Sequence, residues 1–89
     1  MFTVIHAKRF EKSFALCAKR GYDLEAFENV AKLLAYGIPL PRNNRDHKLQ
    51  GDLVHCRCCH IKFDWVLIYR YERQTIIFED TGTHSDLFR

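Results

Sequence analysis

The chain has 89 residues, of which 47% are hydrophobic, 28% charged and 13% aromatic, and its formal charge is +3. This length fits one domain spanning residues 1–89, and the apolar content argues against intrinsic disorder. No apolar run approaches the roughly 20 residues of a membrane span, and residues 1–9 lack the apolar stretch of a secretory signal. We therefore expect a cytoplasmic location and no membrane partner.

The first part of the chain predicts one strand followed by two helices. Residues 2–5 are short, β-branched and apolar, as in a strand. Apolar residues then recur at helical spacing up to Gly21, and again from Asp23, a favourable N-cap, to Gly37. Because so few residues join these segments, they should form an antiparallel helical hairpin.

The second part of the chain predicts three strands. Residues 42–52 are polar and charged, which indicates an exposed loop, and the apolar period then becomes two over residues 54–61, 65–71 and 75–79. Residues 85–88 fit either a short helical turn or a docked tail. The order β-α-α-β-β-β predicts an α+β fold, with the helical hairpin packed on one face of a small antiparallel sheet and the other face free for function.

Three of the four cysteines fall within four residues, at Cys56, Cys58 and Cys59, whereas Cys17 lies on the first predicted helix. Such close neighbours do not readily form disulfides, so we expect reduced thiols. Structural zinc sites usually draw on two separated ligand pairs, and the sequence offers one cluster. Buried thiols are therefore favoured over a native metal site, although a strand would place Cys56, Cys58 and His60 on one face.

Candidate catalytic groups lie at the ends of the predicted elements. His47 belongs to the charged loop, His60 ends one predicted strand, Asp64 follows it, and His84 follows the last strand. Histidine exchanges protons near neutral pH, which makes it the commonest general acid or base. Because the ends of neighbouring strands can meet at one rim, these side chains can gather into one site. The alternative is a set of unrelated surface histidines at loop ends.

Aromatic and basic residues accompany these candidates. Phe63 and Trp65 flank Asp64, and an aromatic ring at a polar rim can stack on a nucleobase. The alternative for Trp65 is the central core residue of a small sheet. With Arg45 and Lys48 in the charged loop, the set fits RNA cleavage, in which a 2′-hydroxyl attacks the adjacent phosphate, a base and an acid move the protons, and a cation stabilises the charge.

Three sequence blocks carry a resemblance to a known family. DHKLQG at 46–51, CHI at 59–61 leading into DWVLIY at 64–69, and FEDTGTHSDLF at 78–88 resemble the YafQ branch of the RelE toxin superfamily, with matching spacing. The resemblance extends from the first strand to the end of the chain and is most specific in the second half.

This resemblance implies the toxin of a bacterial type II toxin–antitoxin system. Such toxins are ribosome-dependent endoribonucleases that cleave mRNA in the ribosomal A site without a metal or other cofactor. Their partner is a cognate antitoxin, and they reach operator DNA only through it. The family's acid–base set matches His47, His60, Asp64 and His84. The residues expected to contact RNA, three from the family pattern and two from the basic loop, are Arg57, Trp65, Phe88, Lys48 and Arg45.

One position departs from the family, which usually has arginine where this chain has Asp80. Losing a cation that stabilises the transition state slows catalysis. Either Arg57, Lys62 or a basic-loop residue replaces that cation, or the chain is an RNA-, ribosome- and antitoxin-binding module with weak or no catalysis. In a regular strand, Arg57 and His60 would also lie on opposite faces, so a bulge or the end of the strand must redirect one of them if both serve the site. A direct DNA-binding regulator is disfavoured, since nothing resembles a recognition helix.

Overall fold

The computed structural model describes residues 1–88 and has the α+β class predicted from the sequence. Its helices and strands, in chain order, are β1 (Thr3–His6), α1 (Lys8–Lys19), α2 (Leu24–Ala35), β2 (His47–Lys48), β3 (Arg57–Lys62), β4 (Trp65–Glu72), β5 (Thr75–Gly82) and α3 (His84–Leu87). Two short 3₁₀ turns, Arg42–Asn44 and Gly51–Leu53, lie in the connection between α2 and β3. Residues 51–54 therefore belong to a turn, and β3 begins three residues later than the apolar period predicts.

The helical hairpin forms for local reasons that the sequence displays. The Asp23 carboxylate caps α2 by accepting a hydrogen bond from the Ala26 N–H at 3.2 Å. Gly21, with φ of 80°, ends α1, and the next N–H, that of Tyr22, bonds back to the Cys17 carbonyl. This left-handed end satisfies carbonyl groups that the last helical turn leaves without partners. The predicted helix ends are confirmed.

The sheet is mixed rather than antiparallel throughout. Its strand order is β1-β5-β4-β3-β2, and the β3–β4–β5 meander is antiparallel as predicted. However, β1 pairs in parallel with β5, with Thr3 opposite Thr75. Parallel pairing requires a crossover connection, and here nearly the whole chain provides it. The short strand β2 pairs with β3 and brings the charged loop to the sheet edge.

The core lies between the helical hairpin and one face of the sheet. Its aromatic centre consists of Phe10, Phe27 and Phe78, with ring centroids 5.5–5.8 Å apart. Trp65 joins this core, is 3% exposed, and donates its indole N–H to the Thr81 hydroxyl at 2.8 Å. Trp65 is therefore a core residue, which was the alternative to a stacking aromatic.

All four cysteines are free and buried. Burial raises the pKa of the Cys58 thiol to about 11 and raises that of Cys59 further, so both remain protonated and unreactive near neutral pH. Within residues 1–88, no three His, Cys, Asp or Glu side chains are grouped to hold a metal ion. None of the helices in the same range is long and apolar enough to cross a membrane.

Candidate active site

A cleft of about 1400 Å³ opens where three segments of the chain meet. Residues 39–47, the end of β3 with the turn that follows it (residues 60–64), and the start of α3 line the cleft. The lining residues include His47, His60, Asp64 and His84. The structure thus brings together the four titratable residues that the sequence singles out.

His84 and Asp64 form the tightest contact in the cleft. One Asp64 carboxylate oxygen, Oδ1, lies 2.6 Å from His84 Nδ1 and accepts the His84 backbone N–H at 3.0 Å. These two hydrogen bonds lower the pKa of Asp64, which therefore stays ionised near neutral pH. Because Nδ1 faces the carboxylate, Nε2 is the His84 nitrogen available to a substrate.

The Thr-Gly-Thr-His motif holds His84 in place through its backbone. The Thr83 hydroxyl accepts from the Asp86 N–H at 3.1 Å, and the Asp86 carboxylate accepts from the Thr83 N–H at 2.9 Å, which is a capping box at the start of α3. Arg20 at the end of α1 pairs with Asp86 at 2.9 Å and, with the capping bond, lowers the Asp86 pKa to about 2. A Cβ at Gly82 would lie 2.9 Å from Asp86 Oδ2, so the motif requires glycine there.

His60 lies beside His84, with ring centroids 5.0 Å apart. Burial lowers the pKa of His60, and the nearby positive charges of His84 and Arg45 lower it further. His60 is therefore neutral at physiological pH and can accept a proton. The Asn44 side chain donates to the His60 carbonyl at 2.7 Å, which ties the charged loop to the end of β3.

His47 is oriented by the backbone of the charged loop. Its Nδ1 lies 2.7 Å from the Arg45 carbonyl oxygen. A carbonyl can only accept, so Nδ1 carries a hydrogen and Nε2 is the His47 nitrogen that remains for a substrate. Arg45 itself has a φ of 48°, a left-handed conformation that is unusual for a residue with a side chain.

The charged side chains lining the cleft give it a cationic side. Arg42, Arg45 and Lys62 line the cleft together with Asp46 and Asp64. The negative charge of Asp46 is compensated by Arg57, because the Arg57 guanidinium donates to both carboxylate oxygens at 3.3 Å. A phosphate group entering the cleft would therefore meet arginine and lysine side chains near the histidines.

Comparison with known proteins identifies the family of the chain. Residues 2–89 match the family model described as the bacterial toxin of type II toxin–antitoxin systems, YafQ. The chain is 36% identical to the mRNA interferase toxin YafQ of Escherichia coli K12, over 93% of this chain and 91% of that one. The chain belongs to the YafQ family of type II toxins.

Two solved structures resemble it over nearly all of both chains. The E. coli DinJ–YafQ complex has a TM-score of 0.92 at 33% identity and covers 100% of both chains. A metal-bound toxin from Helicobacter pylori has a TM-score of 0.92 at 37% identity and covers 99% of this chain and 100% of its own.

Asp80, the departure from the YafQ pattern, lies outside the cleft lining. Its carboxylate accepts from the Ser13 hydroxyl of α1 at 2.6 Å and from the Thr81 N–H at 2.9 Å. The carboxylate is thus bound between α1 and β5, and the cations near the histidines come from other positions.

Not every residue expected to contact RNA lines the cleft. Arg57 and Lys48 are paired across β3 and β2, and neither is among the lining residues. Arg57 binds Asp46, which also accepts from the core residue Tyr69 at 2.5 Å, so its guanidinium supports the loop from the helix side of the sheet. Trp65 is buried, whereas Phe88 is 40% exposed with its ring 6.2 Å from that of His84.

Sequence reasoning missed two residues at this site. Asn44 holds the loop against β3, and nothing in its polar surroundings distinguishes it from a solvated side chain. Arg42 lines the cleft beside Arg45 and was treated as part of a general basic loop. Both owe their position to the fold of the 39–47 segment, which no periodicity in the sequence predicts.

Proposed function

We propose that this chain is a ribosome-dependent mRNA endonuclease, the toxin of a type II toxin–antitoxin pair. The observation that carries the proposal is the gathering of four titratable side chains from three distant segments in one cleft that also contains arginine and lysine. The naming of the E. coli relative as an mRNA interferase supports the same activity. A cell-toxic nuclease needs a partner that neutralises it, and the E. coli DinJ–YafQ complex supports a cognate antitoxin as that partner.

The cleft can perform cleavage by internal transesterification. His60, neutral because of its lowered pKa, takes the proton of the ribose 2′-hydroxyl, whose oxygen attacks the adjacent phosphorus. The bond to the 5′ oxygen breaks, and that oxygen takes a proton from Nε2 of His84. Asp64 holds the protonated His84 through Nδ1, and His47, held by the Arg45 carbonyl, lines the same cleft. The products are a 2′,3′-cyclic phosphate and a free 5′-hydroxyl.

Arg45 is the proposed phosphate-binding cation. It lines the cleft and is close enough to His60 for its charge to lower the histidine pKa. A cation at this point stabilises the extra negative charge of the pentacoordinate phosphorus, as the arginine at the Asp80 position would in relatives. Arg42 and Lys62 lie on the same cleft and extend this cationic path along the RNA backbone.

The test uses purified ribosomes carrying a defined mRNA codon in the A site. The wild-type toxin, stripped with EDTA and returned to metal-free buffer before mixing, should cleave this mRNA and leave a cyclic phosphate. An mRNA with a 2′-O-methyl group at the scissile nucleotide should remain intact, because the attacking hydroxyl is blocked. His84→Ala should lose roughly 10²–10⁴-fold in rate. His55→Ala, a histidine outside the cleft lining, is the matched control and should cleave normally.

The outcomes separate the alternatives. Cleavage of the 2′-O-methyl mRNA would refute attack by the 2′-hydroxyl. Activity that disappears after EDTA treatment and returns with a transition metal would refute the side-chain mechanism. Intact mRNA with toxin still bound to the ribosome would refute the nuclease and leave the binding module as the function.

A further inference from the structure

Phe63 is a large apolar side chain held almost entirely in solvent. It is 88% exposed at the two-residue turn between β3 and β4, where Lys62 pairs with Trp65. Turns of this kind usually carry small or polar residues, which either tolerate the backbone conformation or bond to it. A phenyl ring in water at this point stabilises nothing in the isolated fold, which suggests that it serves a ligand.

A second, smaller cleft begins at the same ring. It has a volume of about 320 Å³, within the range of roughly 300–1,000 Å³ that is usual for ligand pockets. Its lining includes Tyr22, Asp23, Lys62, Phe63, Asp64 and Trp65. Tyr22 packs edge-on against Trp65 with centroids 5.0 Å apart, so two of the aromatic side chains in the lining support each other.

Phe63 joins this cleft to the catalytic one. Phe63, Lys62 and Asp64 line both clefts, so the rim between them is shared. The Cα atoms of Phe63 and Asp64 are about 3.8 Å apart, as for any neighbouring residues. Asp64 in turn contacts His84 at 2.6 Å. A flat group resting on the phenyl ring therefore lies at the rim that borders the cleft containing His84.

The charged side chains around the second cleft are Lys62, Asp23 and Asp64. Lys62 Nζ lies 3.4 Å from Asp23 Oδ2, and both side chains are more than half exposed. This ion pair carries little net charge, and Asp64 is bound to His84. The aromatic side chains can then hold a base, as aromatic side chains do where single-stranded nucleic acid binds.

From these contacts we infer that Phe63 and the second cleft form a stacking subsite for the nucleobase next to the scissile phosphate of the mRNA. The inference rests on the proposed nuclease function and adds a substrate-positioning residue to it. Phe63 assumes the role expected of Trp65, whose ring is buried. Since stacking needs only the flat face of a base, the subsite fixes the position of the RNA and accepts any of the four bases.

The test measures binding to ribosomes whose mRNA carries the fluorescent base 2-aminopurine beside the scissile phosphate. A His84→Ala background keeps the mRNA intact. Phe63→Ser should weaken binding roughly 5- to 150-fold, the range for the loss of one base stack, and should remove the change in 2-aminopurine fluorescence. Phe63→Trp should restore both. In the active background, Phe63→Ser should raise KM for programmed ribosomes more than it lowers kcat.

Tyr36→Ser provides the matched control, because Tyr36 is a 60% exposed aromatic that lines neither cleft. It should bind like the parent. Equal affinity and equal fluorescence for Phe63→Ser and the parent would refute the stacking subsite and leave the nuclease proposal intact. Failure of the parent itself to bind programmed ribosomes would refute the proposed function and this inference together.

Discussion

Asp64 is predicted to act on catalysis entirely through His84. Both hydrogen bonds that its side chain accepts come from this one residue, from Nδ1 and from the backbone N–H. Removing them leaves the imidazole free to rotate and without the anion that stabilises its protonated form. Asp64→Ala should therefore lower the single-turnover cleavage rate by roughly 10²-fold, toward the 10²–10⁴-fold that an acid or base contributes.

The double variant makes this reasoning quantitative. If Asp64 serves only to hold His84, the His84→Ala variant has already lost everything that Asp64 provides. Asp64→Ala combined with His84→Ala should then cleave within about threefold of His84→Ala alone, as for residues that act as a unit. Asp64→Asn keeps an acceptor oxygen but not the charge, so its rate should fall between those of the wild type and Asp64→Ala.

The assay is single-turnover cleavage on programmed ribosomes, with thermal unfolding as the control for folding. Both side chains are about half exposed, at 48% for His84 and 55% for Asp64, so the melting temperature should change little. A double variant whose loss equals the product of the two single losses would refute the dependence of Asp64 on His84. It would show that the carboxylate acts on the substrate independently.

Two further predictions concern the surroundings of the site. The charge of Arg45 helps to lower the pKa of His60, so Arg45→Gln should raise that pKa in an NMR titration and move the acid limb of the rate profile to higher pH. Folding stability should fall as the pH drops from 6.5 through the pKa of His60 in the folded protein, and it should fall less in Arg45→Gln. An unchanged His60 titration in Arg45→Gln would contradict the role of the arginine charge. Thr81→Val removes the acceptor of the Trp65 N–H and the donor to the Val66 carbonyl. It should lower the unfolding free energy by about 2 kcal/mol and the melting temperature by roughly 10 °C. A calorimetric scan that matches the wild type would show that these two hydrogen bonds do not stabilise the fold.

The parts of the fold that the sequence predicts are those held by neighbours in the chain. Asp23 caps α2 by accepting the N–H of the residue three positions later, and Gly21 and Gly37 end the helices by their own left-handed conformation. The parallel pairing of Thr3 with Thr75 has no local signal, because each strand would look the same beside any partner. Alternation of apolar residues predicts which face of a strand is buried, but not which strand lies alongside.

The candidate site shows the same division. The strand ends at His60 and His84 are expected to meet at one rim. β3 and β5 lie on either side of β4 and end at the same rim, and the two rings are 5.0 Å apart. The placement of Arg57 depends on its ion pair with Asp46, eleven residues earlier, in a loop whose path periodicity does not predict. Trp65 was open to two interpretations because a stacking aromatic and a core aromatic have the same sequence pattern. Burial against Thr81 distinguishes them.

Because β1 pairs with β5, the sheet can be completed only late in the synthesis of the chain. β1 emerges from the ribosome early, but its hydrogen-bonding partner is β5, which is followed at once by His84. A nascent chain therefore holds an unfinished sheet, without the proposed proton donor, until β5 and His84 have been translated. Such long-range closure also slows folding relative to chains with local contacts. The sheet is therefore completed, and the proposed proton donor is added, in the same late step of synthesis, so a chain released before β5 lacks both.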